Sequence, residues 1–315
     1  MMKRSIVDPL AELTVLAYNT CLSFQFSKRW MIASLYGLLC HVIFTVSVVS
    51  MLVAMYFGMS ESFGKIPHPY SYFFNLLLLL QFPIAHSFLL SSVGKKFLLY
   101  FSPKQYSKTL APTIFAIIAS IQLFLLFFCW TPSQIIVWEA SGASYFLMCT
   151  LYGSSWLLLI WASIDAGAEL QSGALGWMSL AQNKAPKFPD LPTFGLFKFI
   201  RQPIYASFAL TTWTTPNWTL DQLLIAVVFT AYCVIAPIFK EKRLEKRFGD
   251  KFTNYKSQVP YMIPSLSLKK QNSIKTENDN PLETNFFVEL KREILFAVII
   301  HKMRKKYDRE LWRYN

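Results

Sequence analysis

Residues 30–59 read WMIASLYGLLCHVIFTVSVVSMLVAMYFGM, a stretch that contains no Asp, Glu, Lys or Arg. A helix needs about 20 predominantly apolar residues to cross the hydrocarbon core of a bilayer. Three further stretches without these charged residues run over residues 70–93, 109–130 and 143–164. The sequence therefore predicts four long membrane-spanning helices.

Two shorter apolar pieces follow, at residues 203–215 and 222–239. The sequence TTPN at residues 214–217 lies at their junction, and these residue types favour a turn. The two pieces therefore predict a helical hairpin. We expect an all-α fold: a polytopic membrane helix bundle of four long spans plus a C-terminal helical hairpin.

The composition of the 315-residue chain agrees with a membrane protein. Hydrophobic residues make up 54% and charged residues only 16%, whereas soluble domains carry about 25% charged residues. This excludes an ordinary soluble domain and a disordered chain. The five cysteines show no paired spacing, so neither a disulfide framework nor a metal site is expected.

Basic residues exceed acidic ones, with 31 Lys and Arg against 18 Asp and Glu. In an apolar chain such an excess usually marks cytoplasmic loops, so we expect membrane lipid and no nucleic acid as a partner. The basic residues fall in alternate connections: Lys3, Arg4, Lys28 and Arg29, then Lys95, Lys96, Lys104 and Lys108, then Lys184, Lys187, Lys198 and Arg201. This distribution predicts that both termini are cytoplasmic.

Three regions follow from these patterns. Residues 1–29 are predicted to form a cytoplasmic N-terminal segment and residues 30–264 the transmembrane domain. Residues 265–315 are predicted to be a cytoplasmic linker and a basic amphipathic tail. A docking helix is an equal alternative for the apolar part of this tail, residues 286–300, which is too short to span a bilayer.

The densest polar piece near the hairpin is Arg201-Gln202-Pro203-Ile204-Tyr205. Proline suits the first turn of a helix, and the N-terminus of a helix can hold an anion such as a carboxylate. Arg201 would add a bidentate donor. On these residues alone, a basic flank beside a capped helix remains the alternative to a binding site. The soluble nucleotide-binding signatures G-x-G-x-x-G and the P-loop are missing.

Several motifs carry a resemblance to a known family. They are RQPIY at 201–205, WTTP at 213–216, KEKRL at 240–244, and the spaced pattern from Phe248 to Pro264. Together they resemble the integral-membrane methyltransferases related to isoprenylcysteine carboxyl methyltransferase. Within that superfamily the chain is most similar to the methanethiol S-methyltransferase and NnrU group, on three further pieces: Tyr36-Gly37, Asn75 to Leu79 with Ala85-His86-Ser87, and Trp130-Thr131-Pro132.

The resemblance implies a multi-pass enzyme of a bacterial inner membrane or the endoplasmic reticulum. It implies that S-adenosyl-L-methionine binds between the cytoplasmic ends of the last helices, and that its methyl group moves to a small thiol or to a lipophilic acceptor such as a prenylcysteine carboxylate. Arg201 and Gln202 would then hold the carboxylate of this cofactor, Pro203 would open the helix, Tyr205 would line the pocket, and Glu241 would accept from the amino or ribose groups.

We assign catalysis to His86 and Arg201, because a thiol reacts well only after it loses its proton. His86 precedes Lys95 by nine residues, which places it roughly 13 Å inside the predicted cytoplasmic end of its helix. A histidine that only bonds a neighbouring helix is the alternative.

The chain departs from the family pattern at three positions. Gln202 stands where relatives have histidine, Lys240 where they have the first of two glutamates, and Phe252 where they usually have tyrosine. Glutamine can still form hydrogen bonds but cannot titrate near neutral pH. An inactive membrane protein that retains the fold therefore stays open as a function. A membrane reductase of the sterol type, which would bind NADPH, also stays open, because the C-terminal half of such reductases resembles this superfamily.

Overall fold

The computed structural model describes residues 7–23 and 27–264. The predicted tail, residues 265–315, lies outside the described residues, as does part of the N-terminal segment. Within the described part, the α-helices in chain order are α1 Val7–Leu22, α2 Lys28–Tyr56, α3 Tyr70–Leu90, α4 Ser92–Leu98, α5 Ser107–Phe128, α6 Gly142–Asp165, α7 Ala168–Gln171, α8 Ala174–Ala181, α9 Pro203–Trp213, α10 Leu220–Phe248 and α11 Asp250–Gln258. The strands are β1 Ile136–Glu139 and β2 Asn217–Thr219.

Five of the described helical segments are long and apolar enough to cross a membrane. They are α2, α3, α5 with the short turn before it, α6 and α10. The chain is an integral, multi-pass membrane protein, as the apolar stretches predict. The side of the membrane on which each helix ends stays a prediction.

The predicted hairpin is present as α9 and α10, but it differs from the expectation in two respects. First, the apolar piece at residues 222–239 is only part of α10, which continues through the mostly charged residues 240–247 as one helix, because Lys, Glu, Arg and Leu are good helix formers. It ends at Gly249, whose φ of 51° suits glycine. Second, the fold is not purely helical.

The two short strands form an antiparallel sheet beside the hairpin turn. Trp138 pairs with Trp218, and Glu139 pairs with Asn217. Tryptophan and the β-branched residues Ile136, Val137 and Thr219 favour extended backbone. These runs are too short to show a clear strand period, which explains why the helical prediction missed them.

Buried apolar side chains from the five long helices α2, α3, α5, α6 and α10 form the main core. Met55 of α2, Leu79 of α3, Phe127 of α5 and Phe229 of α10 are each at most 1% exposed. Large apolar side chains also cover the outer faces of these helices, as in Phe73 and Leu147. Helices that are apolar on both faces are typical of a bundle surrounded by lipid.

Two of the motifs that suggested the resemblance meet in the structure. The side-chain amide of Asn75 donates to the carbonyl oxygen of Thr131 at 2.8 Å, and its oxygen accepts from the Thr131 N–H at 3.0 Å. Both residues are buried, beside the fully buried Trp130. The Asn75 side chain therefore bonds both the N–H and the carbonyl oxygen of Thr131, a residue that follows α5 and lies outside any helix.

We expect Asn75→Ala to lower the free energy of unfolding by about 1–3 kcal/mol, because two buried backbone groups would lose their partners. Thermal unfolding in detergent measures this loss. Leu76→Ala is the matched control, since Leu76 is exposed on the same helix. Equal melting temperatures for the two variants would show that the Asn75 bonds do not stabilise the fold.

A third motif places α8 against α2. A Cβ atom at Gly37 would lie 2.7 Å from the Trp177 ring, so the small residue permits the close approach. The Trp177 indole N–H donates to the His41 Nε2 at 3.1 Å, and Thr113 of α5 accepts from the Trp177 backbone N–H at 2.9 Å. His41 is therefore a structural histidine.

Candidate functional site

The segment that leads from α8 to α9 is anchored by Asp165, the last residue of α6. Its Oδ2 accepts from the Leu196 N–H at 2.8 Å, at the start of a short 3-10 helix, Gly195–Lys198. Gly195 has a φ of 55°, and a Cβ atom there would lie 2.1 Å from Asp165 Oδ2. The turn therefore requires glycine, and it sets the approach to α9.

Backbone hydrogen bonds join the start of α9 to the segment after α11. The Arg201 N–H donates to the Pro260 carbonyl at 2.9 Å, and the Gln202 N–H donates to the Tyr261 carbonyl at 3.2 Å. Pro203 then occupies the first turn of α9, as the sequence predicts. The motif RQPIY and the end of the spaced pattern are therefore parts of one site.

Arg201 and Glu241 form an ion pair inside this site. Nε and Nη2 of Arg201 donate to the two carboxylate oxygens at 2.9 and 3.3 Å. Nη1 donates to the carbonyl oxygens of Lys256 and Val259 at 3.0 and 2.6 Å. The exposed fractions of the Arg201 and Glu241 side chains are 10% and 7%. These bonds use four of the five N–H donors of the guanidinium within the fold.

Gln202 connects this pair to Lys240. Its amide Nε2 donates to Glu241 Oε1 at 2.8 Å, and its Oε1 accepts from the Lys240 ammonium at 3.3 Å. Gln202 is 1% exposed. The Lys240 Nζ also lies 5.3 Å from the centre of the Tyr205 ring, within the range of a cation–π contact. We call Arg201, Gln202, Glu241, Lys240 and Tyr205 the polar cluster.

Three aromatic residues support the polar cluster from the C-terminal side. The hydroxyl of Tyr255 donates to the Phe197 carbonyl at 2.7 Å, and burial raises the pKa of this phenol, which keeps it protonated as a donor. The Tyr261 ring lies 5.6 Å from the Arg201 guanidinium carbon. Phe252 is 1% exposed. At such a buried position a phenol would need a hydrogen-bond partner, whereas phenylalanine needs none.

His86 lies outside the polar cluster, on α3. Its ring contacts Phe82 and Phe115, with centroid distances of 5.3 and 5.0 Å. Its Nδ1 is buried and has no hydrogen-bond partner among the described residues. At this nitrogen, therefore, His86 makes no hydrogen bond to a neighbouring helix within the described residues. It is held by aromatic rings, with one ring nitrogen unused.

One face of α10 connects His86 to the polar cluster. Tyr232 packs against Phe82, the neighbour of His86, at a centroid distance of 6.2 Å. By helical spacing, Tyr232, Lys240 and Arg243 lie within an arc of about 80°. Arg243 is exposed and follows Lys240 by three residues on the same helix. The sequence analysis gave Arg243 and Tyr232 no role. Their shared spacing with Lys240 is the signal that could have found them.

The opposite face of α10 borders an open cleft. Its lining contains two carboxylates, two ammonium groups and apolar surface, over a volume of about 380 Å³: Ile238, Glu241, Lys242, Glu245, Lys256 and Tyr261. Lys256 pairs with Glu245 at 2.7 Å. No group of three or more His, Cys, Asp and Glu residues that could hold a metal ion occurs within residues 7–23 and 27–264.

Known proteins similar to this chain fit the resemblance that the motifs carry. Methanethiol S-methyltransferase 2 of Bradyrhizobium diazoefficiens is 29% identical over 198 residues, which cover 62% of this chain and 74% of the relative. Methanethiol S-methyltransferase 1 of the same organism is 29% identical over 191 residues, which cover 60% of this chain and 66% of the relative.

Nurim of Mus musculus is more distant, at 27% identity over 175 residues that cover 51% of this chain and 63% of nurim. No family model matches the chain. No solved structure matches it at a significant level. Several curated methanethiol S-methyltransferases thus confirm the predicted resemblance, and it is to this group of proteins that the chain is similar.

Proposed function

We propose that the chain is an integral-membrane methyltransferase that takes its methyl group from S-adenosyl-L-methionine and transfers it to a small thiol. The observation that carries this proposal is the polar cluster. It joins the start of α9 to the end of α10, and it contains the residues to which the resemblance assigns the cofactor. A lipophilic acceptor, with carboxyl methylation of a prenylcysteine, is the alternative substrate class.

The chemistry of the polar cluster fits this cofactor, which carries a carboxylate, an ammonium group, an aromatic base and a sulfonium. The buried ammonium of Lys240 beside the Tyr205 ring offers a cation and an aromatic face together. Arg201, Gln202, Pro203 and Glu241 would form the wall of the site, and Tyr205 would line it. When bound, the cofactor supplies an electrophilic methyl group, which needs mainly an aligned nucleophile.

The contacts of Arg201 give it a positioning role in this proposal. Its guanidinium orients the Glu241 carboxylate and binds two backbone carbonyls, and it does not reach into open space. Through these bonds it fixes α9 against α10. In this proposal, therefore, a residue other than Arg201 supplies the main cation that binds the carboxylate of the cofactor.

We propose His86 as the group that takes the proton from the thiol. Its Nδ1 has no partner among the described residues, so this nitrogen is free to accept the proton of a bound thiol. Arg243, on the same face of α10 as Tyr232, would add a positive charge that favours a thiolate. The thiol would reach His86 from the lipid side of α3.

A second candidate function is a membrane protein that retains this fold without catalysis. The observation in its favour is that the donors of Arg201 and the Gln202 side chain are engaged within the fold, while Gln202 and Lys240 depart from the pattern of the family. Such a protein would bind no methyl donor, and the two functions separate on this point.

The test is methyl transfer by purified protein in liposomes, with S-adenosyl-L-methionine labelled in its methyl group. We expect label in the thioether formed from methanethiol, and His86→Asn should reduce the rate by about 100-fold, since asparagine cannot accept the proton. His41→Asn is the control: His41 accepts a hydrogen bond from Trp177 and takes no part in the proposed proton transfer. Label on a prenylcysteine carboxylate would favour the alternative acceptor, and no transfer to either acceptor would contradict the proposal.

A further inference from the structure

Arg201 and Gln202, to which the resemblance assigns the carboxylate of the methyl donor, are engaged with other groups of the fold. Arg201 gives four N–H donors to Glu241 and to two carbonyl oxygens. Gln202 is 1% exposed and bonds both Glu241 and Lys240. A carboxylate could displace these bonds only by leaving Glu241 buried without partners, which is costly.

Lys240 has the donors that Arg201 lacks. Its ammonium carries three N–H donors, and one of them is given to Gln202 Oε1 at 3.3 Å. Both oxygens of the neighbouring carboxylate, Glu241, accept from Arg201 and Gln202. Part of the Lys240 residue is exposed, but its ammonium is buried. The other two N–H groups of the ammonium make no hydrogen bond to another described residue, so an anion that enters the polar cluster can accept from them.

The groups around the Lys240 ammonium add an aromatic face and positive charge. The Tyr205 ring lies 5.3 Å from the ammonium, in the first turn of α9. By helix geometry the N–H groups of Ile204 and Tyr205 have no intrahelical partner, and they add positive potential at this end. Arg243 is exposed and lies about one helical turn further along α10.

From this geometry we propose that the Lys240 ammonium, held between Gln202 and the Tyr205 ring, binds the carboxylate of the α-amino acid part of the methyl donor. This inference rests on the proposed function and adds the residue that recognises this part of the cofactor. Lys240 is the position at which the chain departs from the acidic residue of the family pattern. The departure then marks a different way of binding the same cofactor and not the loss of the site.

The test compares two ligands that differ only in this carboxylate, S-adenosyl-L-methionine and its decarboxylated form. Their affinities are measured by calorimetric titration of the wild type, Lys240→Met, Lys240→Arg and the control Lys246→Met, a change at an exposed position of α10. We expect Lys240→Met to weaken binding of S-adenosyl-L-methionine by about 10-fold or more. Binding of the decarboxylated ligand should change by less than about 2-fold. Lys240→Arg should keep most of the preference, and Lys246→Met all of it.

The other outcomes overturn the inference. Equal losses for both ligands in Lys240→Met would show that Lys240 supports the fold of the site and not the carboxylate. Unchanged affinities, or a wild type that does not prefer the ligand with the carboxylate, would place the carboxylate elsewhere. If the wild type binds neither ligand, the proposed function itself fails, and this result differs from the failure of Lys240 alone.

Discussion

Glu241→Gln is expected to destabilise the protein by about 3–5 kcal/mol and to abolish methyl transfer. The substitution removes the negative charge that compensates Arg201, whose side chain is 10% exposed, and a buried charge that loses its partner is strongly unfavourable. It also replaces one of the two acceptor oxygens by an NH2 donor, so the three bonds from Arg201 and Gln202 can no longer all be accepted. Thermal unfolding in detergent and the labelled-methyl assay measure the two effects.

Glu245→Gln is the matched control for this prediction. Glu245 lies one helical turn further along α10 and pairs with Lys256 at 2.7 Å, but 41% of its side chain is exposed. Exposed ion pairs contribute about 0–1 kcal/mol. If Glu241→Gln and Glu245→Gln melt at the same temperature, the buried ion pair does not stabilise the site, and its proposed positioning role is wrong.

Gly195→Ala is expected to cost about 3–5 kcal/mol. A residue with a Cβ atom is strained at a φ of 55°, and this backbone conformation costs about 1–2 kcal/mol. It would also lie 2.1 Å from Asp165 Oδ2 and displace the carboxylate that accepts from Leu196. Losing a hydrogen bond to a buried charged group adds about 1.5–3 kcal/mol. The melting temperature and the yield of folded protein in detergent measure the effect.

Gly142→Ala separates the two causes. Gly142 has a φ of 53°, close to that of Gly195, but nothing lies within 4 Å of a Cβ atom built there. It should therefore show the backbone cost alone. A loss in Gly195→Ala no larger than in Gly142→Ala would mean that Asp165 does not fix the turn that leads to α9.

The long helices could be predicted from sequence because their signal is local. A stretch such as residues 143–164 contains no charged residue, and only a helix satisfies its backbone within lipid. The structure places α6 at Gly142–Asp165, one residue longer at each end. The charged end of α10 was harder to predict, because loss of the apolar pattern at residue 240 marks the end of the lipid contact and not the end of the helix.

Packing of the short elements could not be predicted, because it depends on contacts distant in sequence. Asn75 and Thr131 belong to separate motifs, and no local pattern shows that the Asn75 side chain bonds the backbone of Thr131. The same holds for Gly37 and Trp177, which are far apart in the chain and in contact in the fold.

The candidate site was predicted in composition but not in its internal bonding. The motifs selected Arg201, Gln202 and Glu241, and the structure brings them within hydrogen-bond distance. Sequence motifs do not reveal which donors are already engaged, so Arg201 was assigned to a ligand although its partners lie within the fold. Lys240 was interpreted only as a departure from a pattern, since its contact with Tyr205 requires both helices to be in place.

The central claim, that this membrane protein binds S-adenosyl-L-methionine, is tested most directly by calorimetric titration of the wild-type protein in detergent. Separate titrations with S-adenosyl-L-methionine and NADPH distinguish a methyltransferase from a reductase of the sterol type. We predict saturable binding of S-adenosyl-L-methionine at one site and no binding of NADPH. The absence of saturable S-adenosyl-L-methionine binding, with or without binding of NADPH, would contradict the account.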